Sequence, residues 1–162
     1  MKTLNEIAKE KIKLRQELLL LRKSLSPLER ENLSAEITAK LKTFPQVQNA
    51  SSILSYKCMG SEVDLGGFNL EMQQSGKKVF YPEKTVEETS KNVDVAVIPA
   101  VAFDINRYRL GRGGGFYDEL LPKLNCLKIG VAFDLQIVDA LPFEAHDAKV
   151  DIIVTEKRII TL

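Results

Sequence analysis

A three-layer α/β sandwich, with a mostly parallel central sheet flanked by helices, is the fold this sequence predicts. Three observations point to it. Short β-rich runs recur at residues 52–56, 78–81, 93–98, 127–133 and 150–155. The runs near residues 95 and 130 are almost uniformly apolar, as strands become when both faces of a parallel sheet are covered. Helical segments alternate with these runs, which is the layering of an α/β domain. With 162 residues and 44% hydrophobic content, the chain is expected to form one Rossmann-like domain over residues 1–162 with a sizeable core.

The elements follow in order. Leu4, Ile7, Leu14, Leu18, Leu21 and Leu25 recur at helical spacing, so residues 4–25 read as a helix with one buried stripe. Lys11 stands where that stripe calls for an apolar residue. Ser26-Pro27-Leu28-Glu29 combines a hydroxyl N-cap, proline at the first helical position and glutamate at the third, a capping box. The helix it opens is expected to reach Phe44, with Leu33, Ile37, Leu41 and Phe44 on one face, and to be stopped by Pro45. An amphipathic segment at 63–74 is closed by Gly76. Residues 83–92 read as a polar surface connection, and a short helix is expected at 117–121, ending near Pro122. No internal repeat or low-complexity segment is visible.

Residues 109–118, Arg-Leu-Gly-Arg-Gly-Gly-Gly-Phe-Tyr-Asp, are the most informative stretch. Four glycines within residues 111–115 suit neither a helix nor a packed strand. Glycine does allow close backbone approach and exposes N–H groups. Flanked by Arg109 and Arg112 and aimed at a helix start, this loop is suited to a phosphate. A dinucleotide fingerprint would need glycine at Phe116, and the Gly-Lys-Ser/Thr of a P-loop is absent. The competing reading is a flexible surface turn.

Other candidates lie in loops expected beyond strand carboxyl ends, at 57–62, 99–118 and 134–147, where ligands of open α/β sheets bind. Asp118 falls in the first turn of the expected helix. It either complements the helix dipole or holds Mg²⁺, which favours one or two carboxylates together with phosphate oxygens. Asp147 is a second such carboxylate or an exposed turn aspartate. Lys11 and Arg15, four residues apart, project from one helix face and either snorkel or reach an anion. Glu62 either complements a helix start or accepts ring N–H groups of a heterocycle. His146, alone in its loop and lacking a nucleophile motif nearby, is not read as catalytic.

Composition excludes several classes. A net charge of +1 argues against binding nucleic acid through a broad basic face. No apolar run approaches the roughly 20 residues of a membrane span. The start of the chain is charged and helical rather than a signal peptide. Two cysteines and one histidine cannot build a Cys/His zinc site. A cytoplasmic protein is the expectation.

Together these motifs resemble the 5-formyltetrahydrofolate cyclo-ligase family, also called methenyltetrahydrofolate synthetase, over nearly the whole chain. The resemblance is carried by Lys11-x-x-x-Arg15 followed by Leu-Ser-Pro, by Gly60-Ser-Glu62-Val-Asp and by Ile98-Pro-Ala-Val-Ala-Phe-Asp104. Residues 109–118, and Pro142-Phe-Glu-Ala-His-Asp147 before Val-Asp-Ile-Ile-Val-Thr-Glu156, complete it. It implies ATP-dependent cyclisation of 5-formyltetrahydrofolate to 5,10-methenyltetrahydrofolate, with Mg²⁺ required. By position it implies an ATP site of Lys11, Arg15, Arg109, Leu110, Gly111, Arg112, Gly113, Gly114, Gly115, Phe116 and Tyr117. Lys57, Glu62, Arg112, Gly113, Gly114, Gly115 and Phe116 would contact folate, and Asp118 and Asp147 would bind the metal. Arg112 and Tyr117 are the expected catalytic residues. Small-molecule substrates and a monomer are expected, with neither nucleic acid nor membrane as partner. Many relatives carry lysine at the position of Gly114 and tyrosine at that of Phe116. Two rival readings are an ATP-binding regulatory module without turnover and a sugar-phosphate isomerase.

Overall fold

Six strands form the central sheet in the order β2-β1-β3-β6-β8-β9. The computed structural model describes residues 1–82 and 85–161. In chain order the strands are β1 (Ser52–Leu54), β2 (Lys78–Phe80), β3 (Val95–Ile98), β4 (Ala102–Asp104), β5 (Arg109–Leu110), β6 (Leu127–Val131), β7 (Ile137–Val138), β8 (Ile152–Val154) and β9 (Ile159–Ile160). The helices are α1 (Leu4–Lys23), α2 (Pro27–Leu41), α3 (Pro45–Gln48), α4 (Gly66–Gln74), α5 (Val86–Thr89) and α6 (Phe116–Leu120). All pairings among β2, β1, β3, β6 and β8 are parallel, and only β9 runs antiparallel at the edge. The α/β expectation holds.

Side chains of the strands alternate between two helix layers. Ile53, Val95, Val97, Ile129 and Val131 pack with Ile37 and Leu41 of α2 and with Phe68 and Met72 of α4. Leu54, Ala96, Ile98 and Ile153 face the other way, onto Val86 of α5 and Leu120 and Leu121 around α6. Both faces of β3 are therefore buried, which explains its unbroken apolar run. The five expected strands are all present. Four further strands were not anticipated: β9, and β4, β5 and β7, which form a small second sheet ordered β5-β4-β7. Each has two or three residues, too few to show a period.

Several boundaries differ from the sequence expectation. α2 ends at Leu41, and Pro45 does not stop it but begins the one-turn helix α3, with Phe44 as N-cap. Proline at a first helical position costs no hydrogen bond. α4 starts at Gly66 rather than Val63, so Glu62 stands outside its first turn. Within 83–92, residues Val86–Thr89 form α5 with Val86 buried, while Glu83 and Lys84 lie outside the described residues. The α1 stripe is also corrected. Leu4 and Leu21 are exposed, and the helix face carrying Leu18 buries Arg22 instead. Capping boxes at Thr3 and Ser26 start α1 and α2.

β1 pairs with β2 on one side and β3 on the other, so the chain direction across the sheet reverses between β1 and β3. Their diverging carboxyl ends open a crevice, the usual ligand position in such sheets. Among the described residues no helix is long and apolar enough to cross a membrane.

The small sheet is locked to the large one through Gly130 of β6. A Cβ built there would lie 2.5 Å from Cζ of the fully buried Phe103 of β4. Gly130→Ala should therefore destabilise the fold by about 1–3 kcal/mol through overpacking, as read from urea denaturation. An unchanged denaturation midpoint would show that Phe103 can move aside.

Candidate active site

α1 supplies one wall of a cleft of about 960 Å³ at the β1/β3 switch point. Residues of all three predicted loops line it, among them Lys57, Glu62, Arg112, Phe116 and Asp147. Every side chain singled out from sequence reaches this cleft except Leu110. Leu110 is instead buried with Leu18, Val101, Ala102 and Leu141, because Arg109 and Leu110 form β5 and the side chains of a strand alternate. Only its main chain serves the loop, its carbonyl accepting from Val101 N at 2.8 Å.

The glycine loop is held by cations on both sides. Arg15 Nε donates to Gly111 O at 2.7 Å. Arg109 Nε donates to Pro99 O at 2.7 Å, and its guanidinium lies 4.4 Å from the centroid of the Tyr117 ring. Burial lowers the Arg109 pKa to about 10 and raises that of Tyr117 to about 12, Arg109 opposing the latter shift. Tyr117 is thus a neutral phenol, able to donate a hydrogen bond but unsuited to act as a base at neutral pH. Phe116 meets its ring edge-on at 5.5 Å. Among the described residues no protein acceptor takes the N–H groups of Gly113 or Gly114. α6 has only five residues, so guanidinium groups and loop N–H groups carry the positive potential here rather than a helix dipole.

Opposite the loop, Glu62 is 9% exposed. Its Oε1 accepts from Met59 N at 2.8 Å and lies 3.9 Å from Arg112 Nη2. Because α4 begins four residues later, a helix-dipole role for Glu62 is set aside. Lys57 Nζ sits 4.9 Å over the Tyr81 ring at the rim.

The acidic end of the cleft is more populated than the sequence suggested. Lys11 Nζ lies 2.6 Å from Asp147 Oδ2 and 3.8 Å from Glu144 Oε2. Asp147 Oδ2 also accepts from Glu144 N at 2.8 Å, so it closes a turn and pairs with Lys11 at once. Ligand atoms of Glu144, His146 and Asp147 lie within 4.8 Å of one another. Asp118 is outside that group but adjacent, its Oδ1 accepting weakly from Ala148 N at 3.4 Å. Carboxylates gathered beside a cationic loop suit a hard cation shared with phosphate oxygens, so these residues fit Mg²⁺.

Sequence reasoning missed Arg22 and Arg30. Arg22 is buried in the cleft wall, and Arg30 Nη1 donates to Gly60 O at 2.6 Å and Glu62 O at 3.2 Å, pinning the 57–62 loop. The missed signal for Arg22 was spacing. Lys11, Arg15, Leu18 and Arg22 recur at 3–4 residue intervals and share one face of α1.

Gly113 and Gly115 have φ of +107° and +76°, whereas Gly114 is not left-handed and its surroundings are open. Alanine at 113 or 115 should each cost about 1 kcal/mol, while Gly114→Ala should be neutral or slightly stabilising. Thermal melts of the three variants check this, and three equal shifts would refute the distinction.

The model of the 5-formyltetrahydrofolate cyclo-ligase family matches residues 7–90 and 83–156. The 5-formyltetrahydrofolate cyclo-ligase of Escherichia coli K12 is 25% identical over 174 residues, covering 85% of this chain and 96% of that protein. The solved 5,10-methenyltetrahydrofolate synthetase of Aquifex aeolicus superposes with a TM-score of 0.84 at 32% identity, covering 94% of this chain and 92% of that one. That of Mycoplasma pneumoniae gives 0.78 at 27% identity, covering 91% and 99%. The family model spans most of the chain, so the chain belongs to the 5-formyltetrahydrofolate cyclo-ligase family, a family of ligases.

Proposed function

We propose that this protein catalyses ATP-dependent cyclisation of 5-formyltetrahydrofolate to 5,10-methenyltetrahydrofolate, releasing ADP and phosphate, and that it acts as a cytoplasmic monomer. One observation carries the reading. Arg112 joins the two halves of the cleft, rooted in the glycine loop yet 3.9 Å from the buried carboxylate of Glu62. A group transferred from a phosphate chain on the loop to a heterocycle on Glu62 must pass this guanidinium.

The chemistry follows from the donor set. A formamide oxygen is too poor a leaving group for a neighbouring amine to displace. The formyl oxygen attacks the γ-phosphorus, the bond to the β-phosphate oxygen breaks and ADP departs. The second folate nitrogen then attacks the formyl carbon, phosphate leaves with the former formyl oxygen and takes up that nitrogen's proton, and the ring closes. Such a transfer needs positioning and charge stabilisation rather than a side-chain nucleophile. Arg15, Arg109 and Arg112 together with the N–H groups of Gly113 and Gly114 supply these on the nucleotide side. Lys11 would turn from Asp147 to the phosphates. Tyr117 supports Arg109 from below with its ring and offers a neutral hydroxyl. Glu62 receives ring N–H groups, and Phe116 and Lys57 border the folate. Asp118 and Asp147, with Glu144 nearby, would hold Mg²⁺, which when bound neutralises phosphate charge.

Absorbance of methenyltetrahydrofolate, followed with purified protein, ATP, Mg²⁺ and 5-formyltetrahydrofolate, tests the proposal. Product should form only with all components present. ATP binding without folate-dependent phosphate release would instead favour a regulatory module. Arg112→Ala should lower kcat by roughly 10² or more, the usual loss for one electrostatic stabiliser. Near-normal turnover in steady-state assays would remove Arg112 from the mechanism.

A further inference from the structure

Arg22 is 2% exposed yet lines the cleft. Its Nε donates to Ser61 Oγ at 2.9 Å and its Nη1 to Ala100 O at 3.3 Å, which uses two of its three nitrogens. Among the described residues no carboxylate comes within 4.0 Å of it. Taking a guanidinium out of water is costly unless acceptors replace the lost hydration. The cost is visible in its pKa, lowered by burial and only partly restored by Glu62. Glu62 shows the mirror image, a buried carboxylate with one main-chain donor and the loose approach of Arg112.

A buried carboxylate and a buried guanidinium thus share one cavity wall, each within the other's field, without pairing. Such an arrangement complements a ring edge that presents two adjacent donors and then an acceptor. The carboxylate takes an amino group and the neighbouring ring N–H, and the oxo group beside them requires a donor. Arg112 is half-exposed and sits on the glycine loop beside the phosphate side of the cleft. Arg22 is fixed by α1 and two hydrogen bonds before any ring arrives, so little order is lost on binding.

We propose that Arg22 donates a hydrogen bond to the 4-oxo oxygen of the pterin ring while Glu62 accepts from N3–H and the 2-amino group. Arg22 is then the residue that selects a 2-amino-4-oxo heterocycle. The assignment rests on the reading of this cleft as the folate site.

The test compares equilibrium binding of 5-formyltetrahydrofolate with that of its 4-amino analogue, in which the acceptor facing Arg22 becomes a donor and the N3–H facing Glu62 is lost. The Arg22 contribution is therefore read from how the preference changes in Arg22 variants. Wild-type protein should prefer the 4-oxo ligand. Arg22→Met should shrink that preference by roughly tenfold or more, the scale of leaving a buried polar group unpaired, and Arg22→Lys should restore part of it. Melting curves show that each variant is folded. Equal weakening of both ligands in Arg22→Met, or an unaltered preference, overturns the contact. Glu62→Gln separates the two claims: unchanged affinity for both ligands would sink the folate-site reading itself. Loss with both ligands, alongside an unaltered preference in Arg22→Met, would sink only the Arg22 contact. Guanine presents the same edge, so Arg22-dependent binding of GTP in preference to the folate would reassign the wall to a purine and also overturn the proposal.

Discussion

The hydrogen bond from Arg15 Nε to the carbonyl of Gly111 joins the first helix to a loop 96 positions later. Lys11 reaches Asp147 across 136 positions, and Arg22 reaches Ala100 across 78, from the same face of the same helix. Without this face, loops at the ends of β1, β3 and β6 would have no common partner. The small sheet is part of the same arrangement. Leu18, between the cationic residues, packs on Val101, Ala102 and Leu110, and so holds α1 at the height where its charged side chains meet the loops. One helix thus performs a structural and an electrostatic task with alternate side chains.

The resulting cleft crowds cations. Arg15, Arg22, Arg109 and Arg112 all line it, and Arg112 contributes to lowering the pKa of Arg22. Carboxylates answer this unevenly. Lys11 is paired at 2.6 Å, whereas the approach of Arg112 to Glu62 is long and half-exposed, a geometry that contributes little stability. The paired end and the loosely paired end are therefore different in kind. A polyanion entering near the loop relieves repulsion among guanidinium groups, so binding and local ordering favour each other.

Much of this was legible in the sequence because local chemistry dominated. The capping box at Ser26, the apolar run of β3 and the glycines at 113 and 115 each have a local cause, and each sits where expected. The errors have causes as well. Pro45 reads as a terminator because proline breaks helices, yet it also begins them. Leu21 fits the apolar stripe by spacing but faces solvent, because α1 turns its cationic face inward. β4, β5 and β7 exist only through one another, as pairings no window of residues can display. Arg22 does not stand out in the sequence because charge on a helix is normally solvated. Its burial depends on Ser61 and Ala100, which tertiary folding alone brings near.

The depressed basicity of Arg109 has an evolutionary consequence. Its guanidinium is stripped of hydration and set on an aromatic face while the chain folds, not while a ligand binds. Folding therefore carries a penalty that, under the function proposed above, catalysis would recover, since the environment need not reorganise when charge moves. Selection for sturdiness alone would favour an apolar side chain at position 109, and under the proposed function selection for turnover would resist it. Thermotolerant relatives are thus expected to find added stability elsewhere in the scaffold, leaving this expensive cation in place.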